Sequence, residues 1–204
     1  LASHFLQQDL GLSSYLYRHH LHKHGLRFFF DSPGCNLSLS DMSEDASGHI
    51  SVFKTFHINP YRLIQDLQDL NKECGVRYVY GRGSLTNPID CRHNVVVNDE
   101  PKSREVLIYS RWFVDAMGRP SYNRTERYKK SSNDDIFHSA AWAHFKSKNS
   151  IDDHMNREFR KRVAYVTREF STVHFLYRGY WFWLIPQPDD VMSVGLVYDE
   201  NFIF

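Results

Sequence analysis

Residues 171–199 read STVHFLYRGYWFWLIPQPDDVMSVGLVYD, and this stretch gives the strongest local indication of the fold. Aromatic and β-branched residues dominate Thr172–Pro186, a composition that predicts one long strand. The turn-forming residues Gln187-Pro188-Asp189-Asp190 come next, and Val191–Tyr198 again favours a strand. Two strands joined by such a turn form a hairpin, so we expect an antiparallel sheet here.

The first of these strands presents two apolar faces. Side chains alternate along a strand, so one face carries Trp181, Trp183 and Ile185, and the other carries Tyr180, Phe182 and Leu184. Because neither face is polar, we expect both to be covered by other parts of the protein. The pattern by itself favours a strand in the core, and a wall beside a ligand is the alternative.

The clearest helix is predicted at Pro60–Cys74. Asn59 can cap it, and Pro60 suits the first helical position because the N–H that proline lacks would be unpaired there anyway. Gly75 supplies a stop signal. An apolar stripe at helical spacing runs along the helix through Leu63, Ile64, Leu67 and Leu70. A shorter helix is expected from Ser3 to about Leu10.

Strands follow this helix closely in the sequence. We predict them at Val76–Tyr80, Val95–Val97 and Val106–Val114, and an earlier buried strand starts at Phe28. Residues 31–50 are predicted to form an irregular loop or a loose hairpin. Because helix, glycine and strand succeed one another directly, the expected fold class is α/β (α+β), with an antiparallel sheet near the C-terminal end.

Composition excludes several classes of protein. The 204 residues carry 25 Lys and Arg against 24 Asp and Glu, a net charge of +1, so nonspecific nucleic-acid binding is not expected. A hydrophobic share of 42% can fill a core, which argues against disorder. The longest apolar run, Tyr180–Ile185, is too short to span a bilayer. Three widely spaced cysteines (Cys35, Cys74 and Cys91) predict reduced thiols and a cytoplasmic location.

Both ends of the sequence look like interior sequence. The chain starts at Leu1 without an initiator Met or signal-like segment, and it stops at the apolar residues Phe202-Ile203-Phe204. We therefore expect an internal fragment of a longer protein.

Two segments are candidates for chemistry. Val106–Val114 leads into Asp115-Ala116-Met117-Gly118, where the backbone can turn tightly against a bulky ligand, although an ordinary turn is the commoner origin of this pattern. His19–His24 is rich in histidine but lacks acidic or thiol partners at metal-ligand spacing, so we expect a solvated basic loop without a metal site. Lys23, within that run, is a candidate for chemistry only if it is buried. Desolvation lowers the pKa of a lysine and so lets it act as an acid, base or nucleophile.

Four segments taken together resemble the flavin-dependent halogenases, the tryptophan-halogenase-like branch of the FAD-dependent monooxygenases. They are YLYRHHLHKHGLRFFF, HINPYRLIQDLQDLNKECGV, RWFVDAMGR and residues 171–199, in the family's order. Trp181-x-Trp183-x-Ile185-Pro186 matches the family signature WxWxIP. The resemblance implies part of the FAD/NAD(P)-binding flavoprotein-monooxygenase fold. Residues 1–118 would belong to the FAD-binding α/β domain, and residues 119–204 to an antiparallel substrate-side β-sheet.

The resemblance also implies a reaction and its partners. Reduced FAD, supplied by a separate NAD(P)H-dependent flavin reductase, reacts with O₂, and chloride or bromide is converted to hypohalous acid. The hypohalous acid then halogenates an electron-rich aromatic substrate, either free or bound to a carrier protein, in secondary metabolism such as antibiotic biosynthesis. Lys23 matches the catalytic lysine, which hydrogen-bonds the hypohalous acid or takes up its halogen.

The remaining site residues follow from the same resemblance. Four residues of the signature would line the path between flavin and substrate: Trp181, Trp183, Ile185 and Pro186. Three further residues would lie near the cofactor: Asp115, Gly118 and Arg62. No metal is implied.

The sequence also departs from the family pattern. Met117 stands where a small residue is usual, and Asn59-Pro60 stands where the family often has Asp-Arg. No GxGxxG occurs, and the family places it upstream of Leu1, so we expect the fragment alone neither to hold FAD nor to be active. Two alternatives stay open. One is a monooxygenase or epoxidase that oxygenates its substrate directly past Trp181, and the other is a non-catalytic flavoprotein remnant.

Overall fold

The computed structural model describes residues 2–89, 92–99, 104–118, 137–147, 149–163 and 166–203. Its helices are α1 (Ala2–His4, continued by a π-helical segment Phe5–Asp9), α2 (Ser13–His19), α3 (Pro60–Glu73), α4 (Arg157–Lys161, after a 3₁₀ turn Ile151–His154) and α5 (Glu200–Ile203). Its strands are β1 (Leu21–Lys23), β2 (Leu26–Phe30), β3 (Ser43–Ala46), β4 (Thr55–His57), β5 (Gly81–Ile89), β6 (Arg92–Asp99), β7 (Arg104–Ser110), β8 (His138–Lys146), β9 (Thr172–Tyr177), β10 (Tyr180–Gln187) and β11 (Val191–Asp199).

The chain forms two compact units, residues 1–64 with 135–204 and residues 65–134. The first unit contains a six-stranded sheet, here called the main sheet, in the order β3-β2-β9-β10-β11-β8, and a two-stranded ladder of β1 and β4. The second unit contains a three-stranded sheet, here called the small sheet, in the order β5-β6-β7. Only β2 and β9 pair in parallel among the described strands.

The predicted mixed α/β class with an antiparallel sheet is confirmed. The strands after α3, however, form an antiparallel meander instead of the parallel layer that helix-glycine-strand succession usually gives. Residues 119–136, at the boundary predicted between residues 1–118 and 119–204, lie outside the described residues. That assignment of two functional parts stays a prediction.

The aromatic stretch Thr172–Pro186 forms two strands, so the prediction of one long strand was wrong. The chain turns at Gly179, whose φ of +84° lies in the left-handed region that favours glycine. The turn predicted at Gln187-Pro188-Asp189-Asp190 is confirmed, and Asp189 and Asp190 both adopt positive φ there, which aspartate tolerates better than most residues. The result is the meander β9-β10-β11.

The helix α3 matches its prediction, but its surroundings do not. Asn59 caps it, since its Oδ1 accepts a hydrogen bond from the Arg62 N–H at 3.3 Å. The apolar stripe is poorly covered, with Ile64 55% exposed. Val76–Tyr80 is irregular where a strand was predicted, and the exposure of Val76, Val79 and Tyr80 leaves little apolar burial to offset the cost of ordering the chain. The predicted strand Val106–Val114 also ends early, at Ser110.

One face of the main sheet packs on the core. Phe29 and Val173 contribute from the sheet, and Met42 and Phe159 pack on them from the β2–β3 connection and from α4. The Phe29 ring stacks on Phe159 at 5.9 Å between centroids. This packing leaves the opposite face of the sheet for other side chains.

A buried ion-pair network closes this core. Arg168 donates to both carboxylate oxygens of Glu44, at 2.9 and 2.6 Å, and Arg27 donates to the same carboxylate at 2.7 Å. Arg168 also bonds Asp152 at 2.5 Å. Burial alone would raise the pKa of Glu44, but the hydrogen bonds and charges of the two arginines outweigh burial and lower it. The network therefore connects β2, β3 and the segment before β9 through side chains that remain ionised.

No helix within the described ranges combines the length and the apolar composition needed to cross a membrane.

Candidate active site

The face of the main sheet opposite the core carries most of the residues predicted to do chemistry. Phe28, His174, Trp183 and Gly195 are register partners across β2, β9, β10 and β11, so they form one row on one face. Trp181 and Ile185 lie two positions away along β10 and share that face. We call this face, defined by His174, Trp181, Trp183, Ile185 and Gly195, the indole face.

The indole of Trp183 is fixed by its neighbours on β11. A Cβ atom at Gly195 would overlap the Trp183 ring, so the ring lies directly on the glycine. The Trp183 Nε1–H donates a hydrogen bond to Ser193 Oγ at 3.3 Å, and Ser193 is only 5% exposed. The ring is thus held both by a steric slot and by a polar contact.

The ladder of β1 and β4 places Lys23 near His174, one residue of the indole face. Lys23 pairs with Thr55, whose hydroxyl donates to the Lys23 carbonyl at 3.0 Å. The side chain is half-buried, and burial lowers the pKa of the Lys23 ammonium. Burial also lowers the pKa of His174, and the charge of Lys23 adds to that shift, so the lysine lies near the residue that pairs with Trp183.

His57, on β4, is a buried neutral neighbour of Lys23. It is 3% exposed, and burial lowers its pKa to about 4, with the charges of Lys23 and His24 adding to the effect. A hydrogen bond between Nε2 and the Phe170 carbonyl, at 3.0 Å, opposes the shift. A neutral His57 therefore donates from Nε2 to that carbonyl and adds no positive charge beside the lysine.

Lys23 also lines a cavity of about 360 Å³. Its polar wall includes His24, Ser47 and Thr55, and its apolar wall includes Leu26 and Phe56. No acidic side chain contributes to the described lining. Such a cavity suits a small polar molecule that a lysine hydrogen-bonds.

The histidine run is not the solvated basic loop that the sequence predicts. The end of α2 and the strand β1 turn it inward, where His20 is buried and its Nδ1 accepts a hydrogen bond from the Asn59 N–H at 3.3 Å. His22 packs against the ring of Phe56 at 5.1 Å. Within the ranges that the structure describes, no three His, Cys, Asp or Glu side chains are grouped to hold a metal ion.

The other predicted residues lie in three different places. Pro186 is buried, on the side of β10 opposite Trp183, and lines a separate cavity of about 190 Å³. Arg62 donates to His19 Nδ1 at 2.6 Å and so ties the start of α3 to the end of α2. Asp115 and Gly118 belong to the second unit.

The Asp115–Gly118 segment is irregular, with Asp115 partly buried and the following three residues exposed. Asp115 Oδ1 accepts a hydrogen bond from the Met117 N–H at 3.1 Å, and Gly118 has a φ of +67°. A Cβ at Gly118 would meet no described atom within 4 Å, so the backbone there is open to a bulky ligand.

Sequence reasoning missed His57 and His174. No spacing or motif distinguishes them from other histidines, and their positions depend on which strands pair. The one available signal was that His174 lies in an otherwise apolar strand.

Comparisons with known proteins support the predicted resemblance. No family model matches the chain. The flavin-dependent halogenase chlA of Dictyostelium discoideum is 24% identical over an alignment that covers 97% of this chain and 36% of that protein. The flavin-dependent brominase Bmp2 shares the fold with a TM-score of 0.70 and 18% identity, over 97% of this chain and 44% of that structure. The halogenase PltM, in complex with phloroglucinol and FAD, gives a TM-score of 0.71 at 13% identity, over 93% and 39% of the two chains.

The chain therefore resembles flavin-dependent halogenases in sequence and shares their fold, as predicted. It spans 36% of the length of the curated relative and less than half of either structure.

Proposed function

We propose that the protein containing this chain is a halogenase that uses reduced FAD and O₂ to chlorinate or brominate an electron-rich aromatic substrate. The observation that carries the proposal is the position of half-buried Lys23 beside the indole face, where Trp181 and Trp183 stand two residues apart on β10. The similarity to the halogenases chlA and Bmp2 supports it.

Lys23 is the proposed catalytic residue. Its ammonium can donate a hydrogen bond to the oxygen of hypohalous acid, and its neutral amine can accept the halogen. Burial lowers the pKa of Lys23 and so brings the neutral amine closer to neutral pH. His57 and His174 are neutral near pH 7, so they add no charge beside the lysine that would fix it in one protonation state.

The two indoles are the proposed barrier between the cofactor and the organic substrate. Trp181, Trp183 and Ile185 share one face and present bulky apolar groups there. A small halide ion passes where an aromatic ring does not. Pro186 would then support this wall from the opposite side of β10.

Asp115 and Gly118 of the second unit are proposed to contact FAD, and Arg62 of the first unit is proposed as a cofactor-binding residue from the same resemblance. When bound and reduced, FAD supplies, with O₂, the oxidation of the halide to hypohalous acid. We further propose a separate NAD(P)H-dependent flavin reductase as partner, a cytoplasmic location and a role in secondary metabolism. The exposed free thiols of Cys35 and Cys74 fit a reducing compartment, and Cys91 lies outside the described residues.

Replacement of Lys23 tests the proposal. Protein from the complete reading frame that encodes this chain is given reduced FAD, O₂, bromide, an activated phenol and a thioether that consumes any hypobromous acid released into solution, and brominated phenol is identified by its isotope doublet. We expect Lys23→Ala to lower bromination by at least about 100-fold, because a positioned acid or base contributes on that order. Lys54→Ala is the matched control, because Lys54 is a nearby but exposed lysine, and it should keep full activity.

The outcomes separate the alternatives. Unchanged bromination in Lys23→Ala would remove the lysine from the mechanism. Oxidation of reduced FAD by the wild type with oxygenated but no brominated phenol would favour a monooxygenase or epoxidase. Failure of the complete protein to bind FAD would favour a non-catalytic flavoprotein.

A further inference from the structure

We infer that Ser193 and Gly195 are specificity-determining residues, because they fix the angle at which the Trp183 indole stands on the indole face. The inference rests on the proposed function, since it assigns these two residues control over whether a halide or the organic substrate reaches the oxidant. Neither residue belongs to the WxWxIP signature. We call the pair, Ser193 and Gly195, the Trp183 clamp.

Gly195 contributes by having no side chain. It is the direct register partner of Trp183, and the indole ring occupies the space where a Cβ at position 195 would lie. No φ in the left-handed region forces glycine at this strand position, so the backbone alone would accept alanine. The glycine is therefore required by the ring that lies on it.

Ser193 selects one of the two flips of the indole. Only one flip directs Nε1–H toward β11, where it meets Ser193 Oγ at 3.3 Å. Ser193 is two positions from Gly195 on the same strand and lies on the same face. Because Ser193 is 5% exposed, loss of its oxygen would leave the indole N–H without that partner in a largely dry place.

The angle of Trp183 sets the space beside Trp181. Residues two apart on a strand are about 6.6 Å apart, close to the thickness of two stacked aromatic rings. The indole that lies on Gly195 covers β11 at that position. An alanine at position 195 would lift the ring and open a passage for larger molecules past the wall.

The test measures which reaction the complete protein performs. Wild type, Gly195→Ala, Ser193→Ala and Ser193→Thr receive reduced FAD, O₂, bromide and an activated phenol, and brominated and oxygenated phenol are quantified per bound FAD. We expect Gly195→Ala to lower the ratio of brominated to oxygenated phenol at least tenfold. Ser193→Ala should lower it less, and Ser193→Thr, which retains the oxygen, should restore it.

Two controls separate the clamp from general damage. Gly83→Ala removes a glycine from a strand of the small sheet, where the new Cβ finds ordinary contacts, and should leave the ratio unchanged. The fluorescence emission of Trp183, isolated by comparison with Trp183→Phe, should shift in Gly195→Ala and not in Gly83→Ala.

Several results would overturn the inference. An unchanged product ratio in a Gly195→Ala protein that folds and binds FAD would do so, as would equal ratios for Ser193→Ala and wild type. If the wild type formed no brominated phenol, the proposed function would be contradicted, and so would the specificity role of Ser193 and Gly195. The fluorescence shift would then report only whether the clamp holds the ring.

Discussion

The main sheet and the small sheet differ in how their side chains are covered. In the main sheet, Phe29 and Val173 are fully buried against α4 and its surroundings, and the opposite face holds the tryptophans in defined positions. In the small sheet, Leu107 and Tyr109 are 48% and 57% exposed within this unit. A side chain is held precisely enough for chemistry only when the element beneath it is rigid. This difference fits the position of the proposed catalytic lysine, which lies on the ladder of β1 and β4 near His174 of the main sheet, while the small sheet leads into an irregular segment.

The largest effect should come from the ion-pair network beneath the main sheet. Glu44→Gln removes the buried carboxylate from Arg27 and leaves Arg168 with Asp152 alone, and breaking a buried pair in this way costs about 3–5 kcal/mol of unfolding free energy. Urea unfolding followed by tryptophan fluorescence measures the loss. Asp69→Asn, which breaks an exposed pair with Lys72 in the second unit, is the comparison and should give no resolvable change. Equal effects of the two substitutions would contradict the distinction between the units.

The same substitution has a defined dependence on pH. Because the folded protein lowers the pKa of Glu44, its contribution is complete above the carboxyl pKa of the unfolded chain, about 4.3, and is lost as pH falls through the lower folded value. The unfolding free energies of wild type and Glu44→Gln should therefore differ by a constant amount at pH 6 to 7 and converge in acid. A difference that persists unchanged at pH 3 would show that Glu44 acts through packing alone.

The buried histidine beside Lys23 should make the first unit sensitive to mild acid. The pKa of His57 is lowered to about 4, so the unfolded chain binds a proton between about pH 6.5 and pH 4 that the folded chain does not. Stability should fall across that window as pH decreases, by a total of about 3 kcal/mol.

Replacement by glutamine tests this dependence. His57→Gln keeps a donor for the Phe170 carbonyl and should flatten the slope of unfolding free energy between pH 6.5 and 5. His49→Gln, at an exposed position, should leave the slope in place. An unchanged slope in His57→Gln would assign the acid sensitivity to another group.

The comparison of the two units also shows what a sequence can predict. The helix α3 and the turn at Asp189 were predicted correctly because caps and turn residues act over a few positions. That Trp181 and Trp183 share one face of β10 likewise follows from the alternation of side chains along a strand. The break at Gly179 was missed because a glycine between aromatic runs is compatible with a continuous strand.

The chemistry of the site depends on contacts between distant parts of the sequence. Lys23 is half-buried on β1, which pairs with the distant strand β4, and Phe28 joins the row of His174 and Trp183 because β2 pairs with β9, far along the chain. No local pattern encodes either pairing. Only the resemblance to a family singled out Lys23, and nothing in the sequence distinguished His57 from the other histidines.

The smallest predicted effects compare one glycine from each sheet. Gly195→Ala places a methyl group inside the Trp183 ring and should cost about 1–3 kcal/mol, as overpacking does. Gly83→Ala places the same group 3.5 Å from Val95 Cγ1, an ordinary contact, and should be neutral or stabilise by up to about 1 kcal/mol because the unfolded chain loses freedom. The urea unfolding midpoints of the two variants, compared with that of the wild type, show whether each substitution lowers or raises stability. If Gly195→Ala were as stable as Gly83→Ala, the ring of Trp183 would have to move without loss, and the main sheet would be no more tightly packed at its indole face than the small sheet is at Gly83.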